Sequence, residues 1–424
     1  MQPSAASDLL PANIAIPGLK CRFCDTPLRY SFVDLGMSPL CQSVVRPEDY
    51  NKPETFYPLH AFVCHECFLV QLDEYVDPEA IFTEYAYFSS YSDYWLDHVR
   101  RYANDMIRRW SLDESSRVVE VASNDGYALQ YFVRAGVPSL GVDPAANVAE
   151  AARAKGIDTH VAFFNAATAE QLRDRGFAAD LLFGKNVLAQ VPDINDFVAG
   201  IPILLKDDGV MTIEFPHLAR LMEDNQFDTI YHEHFSYFSF TTATRIFGAH
   251  GITLFDVDEL PTHGGSIRIY GCKEERSRPT TERARAMLER EVEAGLNALG
   301  AYGRFAEQVR ETKRGILTFL IDAKRKGKRV AGYGAPGKGN TLLNYCGIGT
   351  DFVDYTVDRN PYKQGTLLPG SRIPVYEPDR IFETKPDYVL ILPWNLKSEI
   401  MEQMSEIRSW GGRFVVPIPQ VDVD

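Results

Sequence analysis

Four cysteines fall into two pairs, Cys21-Arg-Phe-Cys24 and Cys64-His-Glu-Cys67, with 39 residues between them. A Cys-x2-Cys turn offers two thiolates to one tetrahedral ion, and a second turn closes the shell without leaving a position for water. The pattern predicts a structural zinc site, with His60 and His65 as neighbours that are able to replace a thiolate. The segment after Cys24 is rich in Pro and Tyr and buries little apolar area alone, so zinc supplies much of its folding free energy. A second cluster is Tyr231-His232-Glu233-His234-Phe235-Ser236-Tyr237. It lacks the spacing of a zinc-binding helix, because Ser236 stands four residues after His232. A carboxylate, two imidazoles and two phenols suit proton transfer instead. Burial among aromatic rings raises the pKa of Glu233 and lowers that of His234, toward general-base range. An aromatic core loop with satisfied histidines is the competing reading. A third cluster, Gly332-Tyr-Gly334-Ala-Pro-Gly337-Lys338-Gly339-Asn340, matches G-x-G-x-x-G after a strand-like run. Taken alone it suggests a dinucleotide site, with Lys338 and exposed amides holding a phosphate at a helix N-terminus.

These groups need a scaffold. Residues 117–122 read as a buried parallel strand, Ser123-Asn124-Asp125-Gly126 as its turn, and 127–135 as the following helix. Residues 139–143 form a second strand ending in Asp143, 23 residues after Glu120. Further strand-like runs are 179–183, 209–215, 252–257 and 266–271, with a helix at 148–155. The last two runs are joined by Pro261-Thr-His263-Gly-Gly265, a hairpin length, so the sheet has an antiparallel edge. The alternation predicts an α/β fold with a doubly wound sheet, whose ligands lie outside the carboxyl ends of the strands. The order suits a class I S-adenosylmethionine-dependent methyltransferase. In that case the turn amides and Asp125 lie against the methionine part of the cofactor, and Asp143 accepts from the ribose hydroxyls. If the sheet is something else, Asp125 and Asp143 are helix caps. Residues 279–326 predict a pair of amphipathic helices, and strands at 352–357, 388–392 and 413–416 complete a second, smaller α/β unit.

The 424 residues exceed one ordinary core, so two or three domains are expected. No apolar run reaches membrane-span length and no leader pattern opens the chain, which predicts a cytoplasmic protein without membrane contact. The net charge of −14, from 44 basic and 58 acidic residues, argues against nucleic acid as partner. Cys41, Cys272 and Cys346 stand alone and read as small buried residues. No heptad seam asks for more than a monomer.

Together the segments resemble the S-adenosylmethionine-dependent C-methyltransferases of nucleotide-linked 4-keto deoxysugars, found in antibiotic and surface-polysaccharide pathways. The resemblance runs from Cys21 onward. It rests on the Cys pairs, Tyr87-Phe-Ser-Ser-Tyr-Ser92, Val119-Glu120-Val-Ala-Ser123-Asn124-Asp125-Gly126, the Tyr231 cluster, His263-Gly-Gly-Ser-Ile-Arg268 and the glycine loop. It implies a zinc-binding domain (1–79), a methyltransferase domain with a Rossmann-like sheet (80–275), and a helical linker with a C-terminal α/β domain that helps bind the sugar nucleotide (276–424). Glu120, Ser123, Asn124, Asp125, Gly126 and Asp143 are then expected at the cofactor. Tyr231, Glu233, His234 and Tyr87 are expected at the reacting carbon, C3 of the sugar ring. His234 is the favoured base, Glu233 its compensating charge and Tyr231 the donor to an enolate oxygen, although the first two roles are exchangeable. His263 and Arg268 reach sugar or phosphate, and Lys338 and Asn340 serve a diphosphate, with dTDP the favoured nucleotide. Two other functions compete: an NAD-dependent oxidoreductase using the glycine loop, and a non-catalytic sensor of the methyl donor.

Overall fold

The computed structural model describes residues 12–13, 16–77, 89–91 and 93–424. Its strands form three sheets. β1 (Tyr30–Ser38), β2 (Tyr57–Val63) and β3 (Val70–Leu72) make an antiparallel meander. The parallel heart of the second sheet is β4 (Val118–Val121), β5 (Ser139–Asp143), β6 (Thr159–Val161), β7 (Ala179–Lys185) and β8 (Leu205–Pro216). The chain then returns to the first sheet through β9 (Ser236–Tyr237), which pairs with β3. The hairpin β10 (Ile252–Leu260) and β11 (Ser266–Lys273) closes the second sheet, in the order β10-β11-β8-β7-β4-β5-β6.

The third sheet comprises β12 (Val330–Tyr333), β13 (Thr356–Val357), β14 (Val375–Tyr376), β15 (Tyr388–Ile391), β16 (Arg413–Val416) and β17 (Asp422–Val423). Its order is β14-β13-β12-β15-β16-β17, parallel except for β17. In the second sheet, successive strands leave β4 in opposite directions, toward β5 and toward β7. That switch opens a crevice at their carboxyl ends. All four residues of β4 are buried, Glu120 among three valines, which is why the strand shows no alternation of buried and exposed positions. The α/β reading and the antiparallel edge hold.

The first sheet does not stand on zinc alone. Phe32, Val33, Leu59 and Val70 belong to one core with Phe305, Val309, Ile316 and Val330. Phe32 stacks on Phe305 with ring centroids 4.5 Å apart. Each such buried side chain contributes roughly 1.5–3 kcal/mol, so the helix Phe305–Arg325 shares with the metal the task of holding this sheet. The region 279–326 forms helices Glu282–Glu293, Leu299–Gly303 and Phe305–Arg325, one more than the period suggests. Among the described residues no helix is long and apolar enough to cross a membrane.

Candidate active site

The sulfurs of Cys21, Cys24, Cys64 and Cys67 all lie within 4.8 Å of one another. The two knuckles are built alike. In each, a backbone amide returns to the first cysteine's carbonyl, Asp25 N–H to Cys21 at 2.9 Å and Phe68 N–H to Cys64 at 3.0 Å. In each, that donor has positive φ, 58° at Asp25 and 62° at Phe68. The Cys21–Cys67 and Cys24–Cys64 sulfurs are 3.5 and 3.6 Å apart, close to the roughly 3.8 Å that a tetrahedral zinc with 2.3 Å bonds requires. The donor set fits zinc and leaves no open position, so the metal is structural. His60 is not a ligand, since its Nε2 pairs with Ser31 Oγ at 2.7 Å.

Beyond β4 the chain turns through Ala122 and Asn124, both at positive φ, and then Gly126. Gly126 has a φ of 74°, and a Cβ there would lie 2.3 Å from Ile157 Cδ1 and 3.3 Å from Ala152 Cβ, so the turn favours glycine. The turn presents Asn124 N–H to Asp143 Oδ2 at 2.8 Å, while Ala145 N–H donates to Asp143 Oδ1 at 2.9 Å. Burial raises the Asp143 pKa against the pull of these two amides. Asn124 and Asp143 line a cavity of about 660 Å³ at the carboxyl ends of the strands. The other expected cofactor residues lie beneath that wall. Glu120 is fully buried and burial pushes it well up, with Lys185 and Tyr127 opposing. Ser123 occupies the space that Gly141 leaves by having no Cβ. Asp125 is not on the cavity wall, and its Oδ2 accepts from Lys155 Nζ at 2.9 Å, which anchors the turn.

The same cavity reaches Tyr231, Glu233 and His234. Their segment is pinned from both sides, since Phe235 N–H donates to Ala189 at 2.7 Å and Leu72 N–H to Phe235 at 2.9 Å. Thus the loop after β7 and the first sheet jointly hold it. His234 Nδ1–H donates to the Thr229 carbonyl at 3.2 Å, which leaves the lone pair on Nε2. Burial, aided by His263 and Lys338, brings its pKa down to about 3. Burial drives Glu233 the other way, up to about 7, against Cys41 and Lys363. The Cys41 thiol donates to Glu233 Oε1 at 3.7 Å. The Tyr231 and His234 rings are 4.1 Å apart. His232 points elsewhere, its Nε2 on the Pro58 carbonyl at 3.1 Å. Tyr87 lies outside the described residues.

Lys338 and His263 line the cavity, the lysine in the first turn of the helix Gly337–Cys346. His263 is solvent-accessible where it faces the cavity, and desolvation by the surrounding walls, helped by Lys338, brings it down to about 4. Two expected residues do not reach the wall. Arg268, on β11, is buried against Glu214 Oε2 at 3.0 Å and lies over the Tyr102 ring. Glu214 also takes His98 and Lys185, and its bonds to these partners and the charges of Lys185 and Arg268 outweigh burial to hold it well below the carboxylate range. Asn340 is one turn into its helix and donates from Nδ2 to the Cys41 carbonyl at 2.6 Å. That bond clamps the first sheet's loop to the helix.

Sequence reasoning missed Phe163, Phe164, Lys185, Asn186 and Lys363, all on the cavity wall. The two phenylalanines follow β6, a strand of three residues that is too short to show a period. Asn186 has a positive φ of 56°, which a sequence does not display. Lys185 ends a buried strand as a charged residue, a signal that was available.

Three family models match in order: a zinc binding domain over residues 21–82, a methyltransferase domain over 94–257, and a C-methyltransferase C-terminal domain over 261–419. The C-methyltransferase NovU of Streptomyces niveus is 37% identical over 415 residues, which is 96% of this chain and 97% of that protein. A ubiquinone biosynthesis O-methyltransferase of Chelativorans sp. (strain BNC1) is 29% identical over 101 residues, 24% of this chain and 40% of its own length. Among solved structures, the PH0226 protein of Pyrococcus horikoshii OT3 aligns with a TM-score of 0.36 at 13% identity, over 48% of this chain and 99% of its own.

Proposed function

Because this chain belongs to the C-methyltransferase family, we propose that it methylates a ring carbon, C3, of a dTDP-linked 4-keto deoxysugar. S-adenosylmethionine, the family's methyl donor, supplies an activated methyl group when bound. Asn124 and Asp143 are the residues to hold it, with Phe163 beside them on the wall. The observation that carries the reading is a single cavity lined both by Asp143 and by Tyr231, Glu233 and His234.

A ring carbon becomes a nucleophile only after the hydrogen beside the ketone is removed. His234 is placed to take it. Its Nδ1–H is committed to Thr229, so Nε2 is a free lone pair across the working pH range. Burial is the first cause of its low pKa and Lys338 a lesser one, so an anionic substrate that offsets Lys338 restores part of its basicity. Glu233 compensates the imidazolium that forms, and Tyr231 donates to the enolate oxygen, where charge develops. Lys338, Lys363 and the first turn of the helix Gly337–Cys346 bind the diphosphate. His263 contacts the sugar. On this reading the divisions at 79 and 275 separate metal, donor and sugar-nucleotide functions. The protein works in the cytoplasm as a monomer.

The test is incubation with S-adenosylmethionine and a panel of dTDP-4-keto deoxysugars. A product heavier by one methylene, with the new carbon at C3 by NMR, supports the proposal. No methylated product from any of the panel refutes the substrate class.

A further inference from the structure

Trp394 is buried, lies just beyond β15, and takes no part in the chemistry above. Its indole nevertheless touches three segments that carry site residues. Nε1–H donates to Asp228 Oδ2 at 2.8 Å. Asp228 is fully buried and adjoins Thr229, the residue whose carbonyl fixes His234. The six-membered ring lies on Gly264, where an added Cβ would come within 2.5 Å of Cη2. Gly264 directly follows His263. The ring face receives Lys338 Nζ at 4.6 Å from its centroid, and the next residue, Asn395, accepts from the same Nζ at 2.9 Å.

One rigid side chain from the third sheet therefore meets the His234 segment, the His263 loop and the Lys338 helix. A ring that merely filled the core would need only apolar neighbours. This one satisfies a buried carboxylate and carries a cation on its face, interactions that fix direction as well as distance. We propose that Trp394 is a positioning residue that sets His234, His263 and Lys338 relative to one another, coupling the third sheet to proton transfer.

This inference rests on the proton-transfer reading, and its test separates the two. Trp394→Phe removes the N–H and draws the ring back from Gly264, while leaving an aromatic face for Lys338. Asp228→Asn keeps an acceptor oxygen, and Asp228→Leu removes it. Solvent deuterium exchange into the ketosugar, KM for the sugar nucleotide and S-adenosylhomocysteine affinity are measured for each. Trp394→Phe is expected to slow exchange by on the order of tenfold to a hundredfold, as a small misplacement of reacting groups does, with KM and S-adenosylhomocysteine affinity held. Asp228→Asn keeps most of the rate. Asp228→Leu also slows exchange, and the double variant falls no further than Trp394→Phe, because the Asp228 bond is among the contacts that Trp394→Phe already removes. Wild-type exchange in Trp394→Phe overturns the inference. So does a loss of S-adenosylhomocysteine affinity that matches the loss of exchange, since that marks general packing. If the wild-type protein itself shows no exchange, the functional reading fails and this inference falls with it.

Discussion

His234 donates its Nδ1–H to the Thr229 carbonyl at 3.2 Å, and that bond decides which imidazole nitrogen faces chemistry. Replacing His234 by Asn removes the Nε2 lone pair. The account expects α-proton exchange to fall by about 10²–10⁴-fold, the usual worth of a positioned base, while S-adenosylhomocysteine still binds by calorimetry. Equal loss of binding and exchange would point to a damaged fold.

Glu233 gives a pH signature. Its pKa lies near 7, raised by burial from 4.5. The carboxylate forms as pH rises through that value, so exchange should climb on an ascending limb near pH 7, and Glu233→Gln should abolish the limb.

The same group links to stability with the opposite sense. Unfolded, it ionises near 4.5; folded, near 7. Between those values the folded state holds the extra proton, so stability falls as pH rises across the window, by roughly 3 kcal/mol in full. Glu233→Gln is therefore expected to raise the thermal midpoint at pH 8 and to change it little at pH 4. A midpoint difference that is the same at both pH values would contradict the assignment.

Zinc should matter at a distance. β9 pairs with β3 two residues beyond His234, so loosening the first sheet disturbs the Tyr231 segment. Cys64→Ser, measured by elemental analysis, should lose the zinc of the four-cysteine site. It should also lower the thermal midpoint and depress turnover more than S-adenosylhomocysteine affinity. Full turnover without metal would show that the first sheet stands on its packing against Phe305 alone.

Asp143 tests the donor site. Asp143→Ala removes acceptors for two backbone amides and any ribose hydroxyl. Charge-assisted bonds of this kind are worth roughly 1.5–3 kcal/mol, so S-adenosylmethionine affinity should fall about tenfold to a hundredfold with sugar-nucleotide binding retained.

Much of this site was legible in the residues. The knuckles announce themselves through thiol spacing, and β4, β5 and β7 through buried apolar runs that end in polar turns. The Tyr231 cluster stood out because titratable groups seldom pack so densely beside aromatics. What the sequence hides is direction. Asp125 reads as a ligand contact until Lys155 is seen to take its carboxylate, a partner 30 residues away. Arg268 reads as a phosphate fork, yet β11 lies inside the sheet and turns it onto Glu214. Asn340 sits in a loop motif, but its place one helical turn in points it at Cys41. The return of β9 to the first sheet joins two residues to a strand more than 160 positions earlier, and no local pattern encodes that.

The central claim is that the chain removes a proton beside a ketone. The most direct measurement is mass spectrometry of a dTDP-4-keto deoxysugar incubated with the protein in D2O without methyl donor. The account predicts one deuterium at the α carbon, gained at a rate that collapses in His234→Asn. Deuterium gained equally fast by the variant, or not at all by the wild-type protein, contradicts it.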